Sequence, residues 1–196
     1  MLCIEAKNHK LKTVCVNSSW IELCDKLLRE SQGVTVPIAV VGFPFGAGVT
    51  ASKCFEAKAA IDDGAKEIDM VIQIGGLKGG EWEFVFDDIK AVYNACGDVP
   101  LKVILETSML THDEIIAACR ICKEIGVAFV KTSTGFGGGG ATVEHVALMK
   151  AVVGEKIQVK ASGGIRTYND AIRMLNAGAQ RIGASASIAI VTEPRP

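Results

Sequence analysis

The chain has 196 residues, 49% of them hydrophobic and 22% charged, which is enough apolar material for a packed core. Its formal net charge of -1 offers no electrostatic attraction to nucleic acid or an anionic membrane, both of which need a basic excess. The longest apolar stretch, 34–45, is broken by Pro37 and Gly42 and is too short to cross a bilayer, so small-molecule chemistry is the default expectation.

The first residues, Met1-Leu2-Cys3-Ile4-Glu5-Ala6-Lys7, mix acid and base and lack the basic-then-apolar layout of a secretory signal. Seven cysteines, an odd number scattered along the chain, predict reduced thiols and a cytoplasmic protein. A helix is expected to begin near Leu2, followed by a strand at 13–17 that carries Cys15 and Asn17 on one face. Ser19-Trp20-Ile21-Glu22 has capping-box form and predicts the next helix start. Further strands are expected at 38–43, 67–74, 101–107, 128–134, 157–162 and 181–185, with helical patterns between them. A second capping box, Thr111-His112-Asp113-Glu114, opens the helix that contains Cys119 and Cys122. That C-x-x-C pair lies on one helix face and reads as core packing, because no second pair or nearby histidine completes a zinc set.

Glycines punctuate this order. Gly33, Gly64, Gly97, Gly126, Gly154 and Gly178 recur 24 to 33 residues apart, each after a helix-like stretch and before an apolar run. A helix, a glycine and a strand form the repeating unit, and strands alternating with helices pair in parallel.

Strand polarity separates an open doubly wound sheet from a closed barrel. Asp69, Val71 and Gln73 alternate with Ile68, Met70 and Ile72, and Lys102, Ile104 and Glu106 alternate with Leu101, Val103 and Leu105. Lys131 and Ser133, then Lys160 and Ser162, continue the pattern. Polar residues confined to one strand face fit a barrel interior, whereas a doubly wound sheet is apolar on both faces. The expected fold is therefore an α/β protein, a (β/α)8 TIM-type barrel with only seven strands evident, and residues 1–196 form one domain.

Inside such a barrel Lys131 and Lys160 face each other across neighbouring strands. A lone strand lysine is usually half of an ion pair, here with Asp69 or Glu106, but two inward lysines point to amine chemistry. A nucleophilic lysine needs its pKa lowered by about three units, or roughly 4 kcal/mol. A like charge about 4 Å away at an effective dielectric near 20 supplies about that much. Lys131 is thus expected to be held neutral by Lys160, with Asp69 shuttling protons. Gly163-Gly164, after the penultimate strand, and the segment around Ser185 and Ala186, after the last, occupy the usual barrel phosphate site.

Gly135, Gly137 and Gly140 match a dinucleotide glycine pattern, but the next strand ends in Lys160 rather than a ribose-binding acid, so no nicotinamide cofactor is expected. His9, His112 and His145 are dispersed in sequence, and no metal set is evident. Neither cofactor nor metal is predicted.

The segments Val130-Lys131-Thr132-Ser133-Thr134-Gly135-Phe136, Val159-Lys160-Ala161-Ser162-Gly163-Gly164-Ile165 and Glu67-Ile68-Asp69-Met70-Val71-Ile72 together resemble the deoxyribose-phosphate aldolases. Val14-Cys15-Val16-Asn17 and Val103-Ile104-Leu105-Glu106-Thr107 extend the resemblance, which runs from about Cys3 to Val191. It implies a class I, Schiff-base aldolase that joins acetaldehyde to D-glyceraldehyde 3-phosphate reversibly. It implies Lys131 as nucleophile, Lys160 as the lysine that perturbs it, and Asp69 with Lys160 as proton relay. Phosphate contacts are implied at Gly163, Gly164, Ser185 and Ala186; Thr134 is a further candidate substrate contact, as is Cys15 from its inward place on the first strand, where small-residue packing is the plainer role. The implied partners are a small-molecule phosphosugar and aldehyde, with a homodimer compatible and neither nucleic acid nor membrane involved.

The chain departs from that family in several places. The first barrel strand, with an Asp-His-Thr segment, is expected ahead of the helix near Leu2 and is absent. The barrel is therefore N-terminally incomplete relative to the family, with two strand edges left unpaired. Gln73, Gly137 and Ala186-Ser187 replace residues usual in the family, and the tail Glu193-Pro194-Arg195-Pro196 is abrupt. The alternative to an active aldolase is a catalytically silent or fragmentary phosphosugar-binding barrel.

Overall fold

A computed structural model describes residues 1–29 and 34–193. The glycine expected to end a helix at Gly33, and the tail residues Pro194, Arg195 and Pro196, lie outside the described residues.

The elements follow in the order α1 (Leu2–Asn8), β1 (Thr13–Asn17), α2 (Ile21–Leu28), β2 (Val36–Val41), α3 (Thr50–Asp62), β3 (Glu67–Val71), α4 (Ile74–Lys78), α5 (Trp82–Cys96), β4 (Leu101–Ile104), α6 (His112–Ile125), β5 (Phe129–Lys131), α7 (Val143–Val153), β6 (Gln158–Ser162), α8 (Tyr168–Asn176), β7 (Arg181–Gly183) and α9 (Ser187–Thr192). The seven strands form one sheet whose spatial order is their chain order, and every adjacent pair is parallel. A strictly sequential order is that of a barrel wall; a doubly wound sheet reverses direction at a switch point. Among the described residues β1 and β7 are not paired with each other, so the wall stays open along that seam.

The strand faces separate as the alternation predicts. Ile68, Met70 and Ile72 turn outward into the main core with Ala57, Ala60, Val85, Ile89 and Val92 from α3 and α5. A smaller cluster of Cys3, Ala6, Val14, Cys24 and Leu28 packs α1 and α2 on β1. Each large aliphatic side chain buried this way is worth about 1.5–3 kcal/mol, which fixes the inward residues on the opposite face.

α6 shows how local sequence sets an element. The Thr111 side chain accepts from the Glu114 backbone N–H at 3.3 Å, while the Glu114 carboxylate accepts from the Thr111 N–H at 2.7 Å. Ile115, Ala118, Cys119, Cys122 and Ile125 form its buried stripe, so the two cysteines are core residues. Gly126 ends it in the left-handed conformation, φ 85°, where a side chain would be strained. Gly64, Gly97, Gly154 and Gly178 also have positive φ, so the helix-ending glycines of the repeat are placed as expected.

Two expectations are corrected. Ser19 does not cap α2, because Ser18–Trp20 forms a turn of 3-10 helix and Trp20 is the N-cap without a side-chain bond. Ser18 instead donates to Glu56 at 3.0 Å. The strands are also shorter than the apolar runs: β3 ends at Val71 and β4 at Ile104, while Ile72, Ile74 and Leu105 continue as buried loop or helix residues. Gln73 accordingly sits at the start of α4 rather than on a strand.

Candidate active site

Parallel pairing places the inward polar residues in neighbouring register: Asp69 beside Lys102, and Lys131 beside Lys160. Curvature of the wall then brings β3 opposite β5 and β6. The Lys131 and Lys160 ammonium nitrogens both donate to the same Asp69 oxygen, Oδ2, each at 2.9 Å. Lys102 Nζ takes the other oxygen, Oδ1, at 2.7 Å. All four side chains are buried, Asp69 and Lys102 completely.

Three cations thus converge on one carboxylate. Lys102 also reaches Glu67 Oε2 at 2.6 Å, and Arg181 reaches the same oxygen at 2.5 Å. The Arg181 guanidinium lies 4.6 Å over the Phe129 ring. The network runs from Arg181 at the barrel floor through Glu67 and Lys102 to Asp69 and its two lysines. Glu67, Lys102 and Arg181 were not singled out by sequence reasoning as site residues. Their signal was present, since Glu67 and Lys102 lie on the same period-two face as Asp69.

The charges settle accordingly. Burial acts to raise the Asp69 carboxyl, but Lys131, Lys160 and Lys102 outweigh it and hold that carboxyl well below the ordinary carboxylate range. Burial acts to lower Lys131, but Asp69, with Cys15 and Glu106 behind it, outweighs burial and holds Lys131 above the ordinary lysine value. Lys160 lies below that value, through burial first, with Lys131 and Lys102 adding to the effect against Asp69. This corrects the expected direction: in the resting arrangement Lys160 is the depressed amine, and Lys131 keeps its proton. Both nitrogens touch one oxygen and so lie within about 6 Å of each other, where the loss of a proton belongs to the pair.

A cavity of about 720 Å³ opens over Lys131 and Lys160. Cys15, Thr134, Gly163, Gly164 and Ser185 line it. Cys15 Sγ lies 4.0 Å from Asp69 Oδ2. Ala186 is set slightly apart, as the N-cap of α9. Leu2, Glu5 and Ala6 of α1 close the side along the β1–β7 seam. A separate cleft of about 400 Å³, lined by residues that include Asp25 and Lys66, contains none of Lys102, Lys131 and Lys160.

Gly163 and Gly164 have φ of 87° and 76°, so their backbone turns sharply just beyond Lys160. Consecutive glycine amides of this kind form an anion-binding concavity. The glycine run 137–140 has a different cause. A Cβ on Gly137 would lie 2.6 Å from Glu106 Cδ, and one on Gly140 would lie 2.4 Å from Gly163 O. The loop after β5 packs its bare backbone onto the ends of β4 and β6, which no side chain would permit.

His112 and His145, far apart in sequence, come together with ring centroids 5.8 Å apart on the outer helices. Among the described residues no group of three or more His, Cys, Asp or Glu is placed to hold a metal ion. No helix among them is long and apolar enough to cross a membrane.

A curled parallel sheet with helices outside and polar side chains gathered at its inner face defines an enzyme of the α/β-barrel class. The comparison with known proteins narrows this. Residues 1–191 match the DeoC/LacD family aldolase description, and the chain belongs to that family. A deoxyribose-phosphate aldolase from Histophilus somni (strain 2336) is 57% identical over 191 residues, covering 97% of this chain and 84% of that protein. One from Bdellovibrio bacteriovorus is 54% identical over 190 residues, covering 97% and 86%. Among solved structures, the aldolase QR15 superposes with a TM-score of 0.92 at 38% identity, covering 97% of this chain and 85% of that one. A tetrameric deoxyribose phosphate aldolase from Aeropyrum pernix superposes at 0.88 with 25% identity, covering 96% and 80%.

Proposed function

We propose that the chain is a Schiff-base lyase that reversibly cleaves 2-deoxy-D-ribose 5-phosphate into D-glyceraldehyde 3-phosphate and acetaldehyde. The observation that carries this reading is the pair Lys131 and Lys160 on a single Asp69 oxygen, at the base of a cavity flanked by the Gly163-Gly164 turn.

Proton flow follows from that geometry. Lys160 loses its proton first, because burial and two neighbouring cations depress it. The neutral Lys160 then takes the Lys131 proton by way of Asp69 Oδ2, which touches both nitrogens. Lys131 is left as a free amine and attacks the C1 aldehyde; loss of water gives the protonated imine. That imine draws electrons from the C2–C3 bond as the C3 hydroxyl surrenders its proton to the Asp69–Lys160 pair. D-Glyceraldehyde 3-phosphate departs, leaving an enamine on Lys131. The held proton returns to C2, and water hydrolyses the imine to acetaldehyde. The phosphate is held at the Gly163-Gly164 turn, with Ser185 and Ala186 on the facing loop.

Sequestering Lys131, Lys160 and Asp69 from bulk water strengthens each of these interactions. Action in the cytoplasm, in deoxyribonucleotide breakdown, belongs to the same proposal and is supported by the odd set of seven free cysteines. So does a homodimer, supported by the exposed Ile4, Leu23 and Leu27 on α1 and α2.

The test is reduction with borohydride in the presence of acetaldehyde. An ethyl adduct at Lys131, absent from Lys131→Ala, is the expected outcome. No adduct in folded protein, or an adduct that survives Lys131→Ala, overturns the reading.

A further inference from the structure

Glu106 follows β4 in a conformation that its side chain disfavours. It lies at φ 57° and ψ 59°, and with Lys10 it is one of two non-glycine residues at positive φ among the described residues. Lys10 is an exposed loop residue, but Glu106 is only 1% exposed. A left-handed backbone under a buried carboxylate is kept only where the surroundings demand it.

The surroundings are the loop after β5. Glu106 Oε2 accepts from the Thr134 backbone N–H at 3.1 Å and also from the Thr134 hydroxyl. The Thr134 oxygen in turn accepts from the Phe136 N–H at 3.0 Å. Gly137 packs so closely on Glu106 that a Cβ there would collide with its carboxyl. Glu106 Oε1 is buried and has no hydrogen-bond partner among the described residues.

The chemical consequence falls on Thr134, which lines the cavity while Glu106 stays behind it. A hydroxyl has one proton and two lone pairs. The Thr134 proton is committed to Glu106 and one lone pair to Phe136, so a single acceptor position remains. Thr134 can therefore receive a hydrogen bond from a ligand but cannot give one. Phosphate oxygens need a donor, whereas a sugar hydroxyl supplies one.

We propose that Glu106 is a positioning residue that fixes Thr134 as a hydrogen-bond acceptor for a hydroxyl on the glyceraldehyde half of the substrate. This deepens the aldolase reading and rests on it. Glu106 selects a hydroxylated chain through Thr134 without touching the substrate.

The experiment measures the dose dependence of borohydride trapping at Lys131 for three compounds: 2-deoxyribose 5-phosphate, its analogue lacking the C4 hydroxyl, and acetaldehyde. Wild-type protein is expected to prefer the hydroxylated phosphosugar by about tenfold, the worth of one well-placed hydrogen bond. Glu106→Ala is expected to bring that ratio close to one. Glu106→Gln is expected to retain the preference, because its carbonyl oxygen replaces Oε2 and its amide falls where Oε1 already lacks a partner. Thr134→Val supplies the same reading should Glu106→Ala fail to fold, and must also abolish the ratio. An undiminished ratio in Glu106→Ala or Thr134→Val overturns the proposal, as does equal loss in Glu106→Gln and Glu106→Ala. Acetaldehyde trapping without any hydroxyl preference in the wild type defeats this inference alone. Absence of trapping with acetaldehyde defeats the aldolase reading beneath it.

Discussion

Lys131 and Lys160 stand side by side in register on β5 and β6 and share one acceptor, Asp69 Oδ2, at equal distances of 2.9 Å. The shared oxygen makes them a single titrating unit. Removing Lys160 leaves Lys131 on the carboxylate that raises it, with Lys102 still on the other oxygen, and takes away a neighbouring cation that opposes its protonation. The pH at which Lys131 becomes nucleophilic must then rise. For Lys160→Met, the ascending limb of acetaldehyde trapping against pH is expected to move to higher pH. The rate at neutral pH is expected to fall by about 10²- to 10⁴-fold, the worth of a positioned proton acceptor. A limb that stays in place or moves to lower pH contradicts the shared-proton account.

Asp69→Asn tests the same unit from the other side and predicts the opposite displacement. Without the carboxylate, both lysines lose the interaction that supports their charge, so the trapping limb is expected to move to lower pH. Cleavage of the phosphosugar should nevertheless fall, since the C3 hydroxyl has lost its proton acceptor.

Stability gives Asp69 a second signature. Its carboxyl is held well below the ordinary range in the folded chain. The stabilisation is therefore complete above the unfolded value, about pH 3.9, and is lost as pH falls toward the folded value. Relative to wild type, Asp69→Asn is expected to be less stable at pH 7, by roughly 3–5 kcal/mol for uncompensated buried cations. The gap should narrow steadily below about pH 4. Denaturant melts at a series of pH values would show it, and a gap independent of pH would not fit.

What was legible in the sequence follows the period of two. Asp69, Lys102, Lys131 and Lys160 share a strand face because their outward neighbours are aliphatic, and parallel pairing carries that face around the wall. Strand ends were not legible, because Ile72, Ile74 and Leu105 remain apolar after the backbone has left the sheet. The alternation ran smoothly through Glu106 and concealed its left-handed turn. The order of the two lysine pKa values was hidden for a different reason. It depends on where Asp69 sits between them and on the third cation at Lys102, both matters of curvature. Ser19 failed as a cap because Ser18–Trp20 winds into a 3-10 turn that puts Trp20 at the N-cap.

Lys102 is the keystone of the buried network, since among the described residues it alone bonds both Glu67 and Asp69, at 2.6 and 2.7 Å. Lys102→Met preserves length and removes both bonds. Arg181 still covers Glu67, and two lysines still cover Asp69, so no carboxylate is left bare, but each loses a partner in a water-free interior. Breaking buried pairs of this kind costs about 3 kcal/mol or more, which for a domain of this size lowers Tm by roughly 10 °C. Calorimetry would check it; an unchanged Tm would mean that Lys102 is replaceable by packing alone.

Gly164 tests the phosphate assignment apart from the lysines. Its φ of 76° strains any L side chain, yet the nearest atom to an added Cβ is Gly140 Cα at 4.0 Å, so Gly164→Ala meets backbone strain rather than a clash. Gly163→Ala differs, since its Cβ would press on Gly140 Cα and the Ser133 side chain, each at 3.1 Å. Relieving the strain at Gly164 rotates the peptides of the turn that lines the cavity. The KM for 2-deoxyribose 5-phosphate is therefore expected to rise by about tenfold, equivalent to about 1.4 kcal/mol. Unphosphorylated 2-deoxyribose, which makes no such contact, should react at nearly its original rate, and competitive inhibition by inorganic phosphate should weaken in parallel. Equal losses for the two sugars would place the phosphate away from the Gly163-Gly164 turn, because strain transmitted to Lys160 acts on both alike.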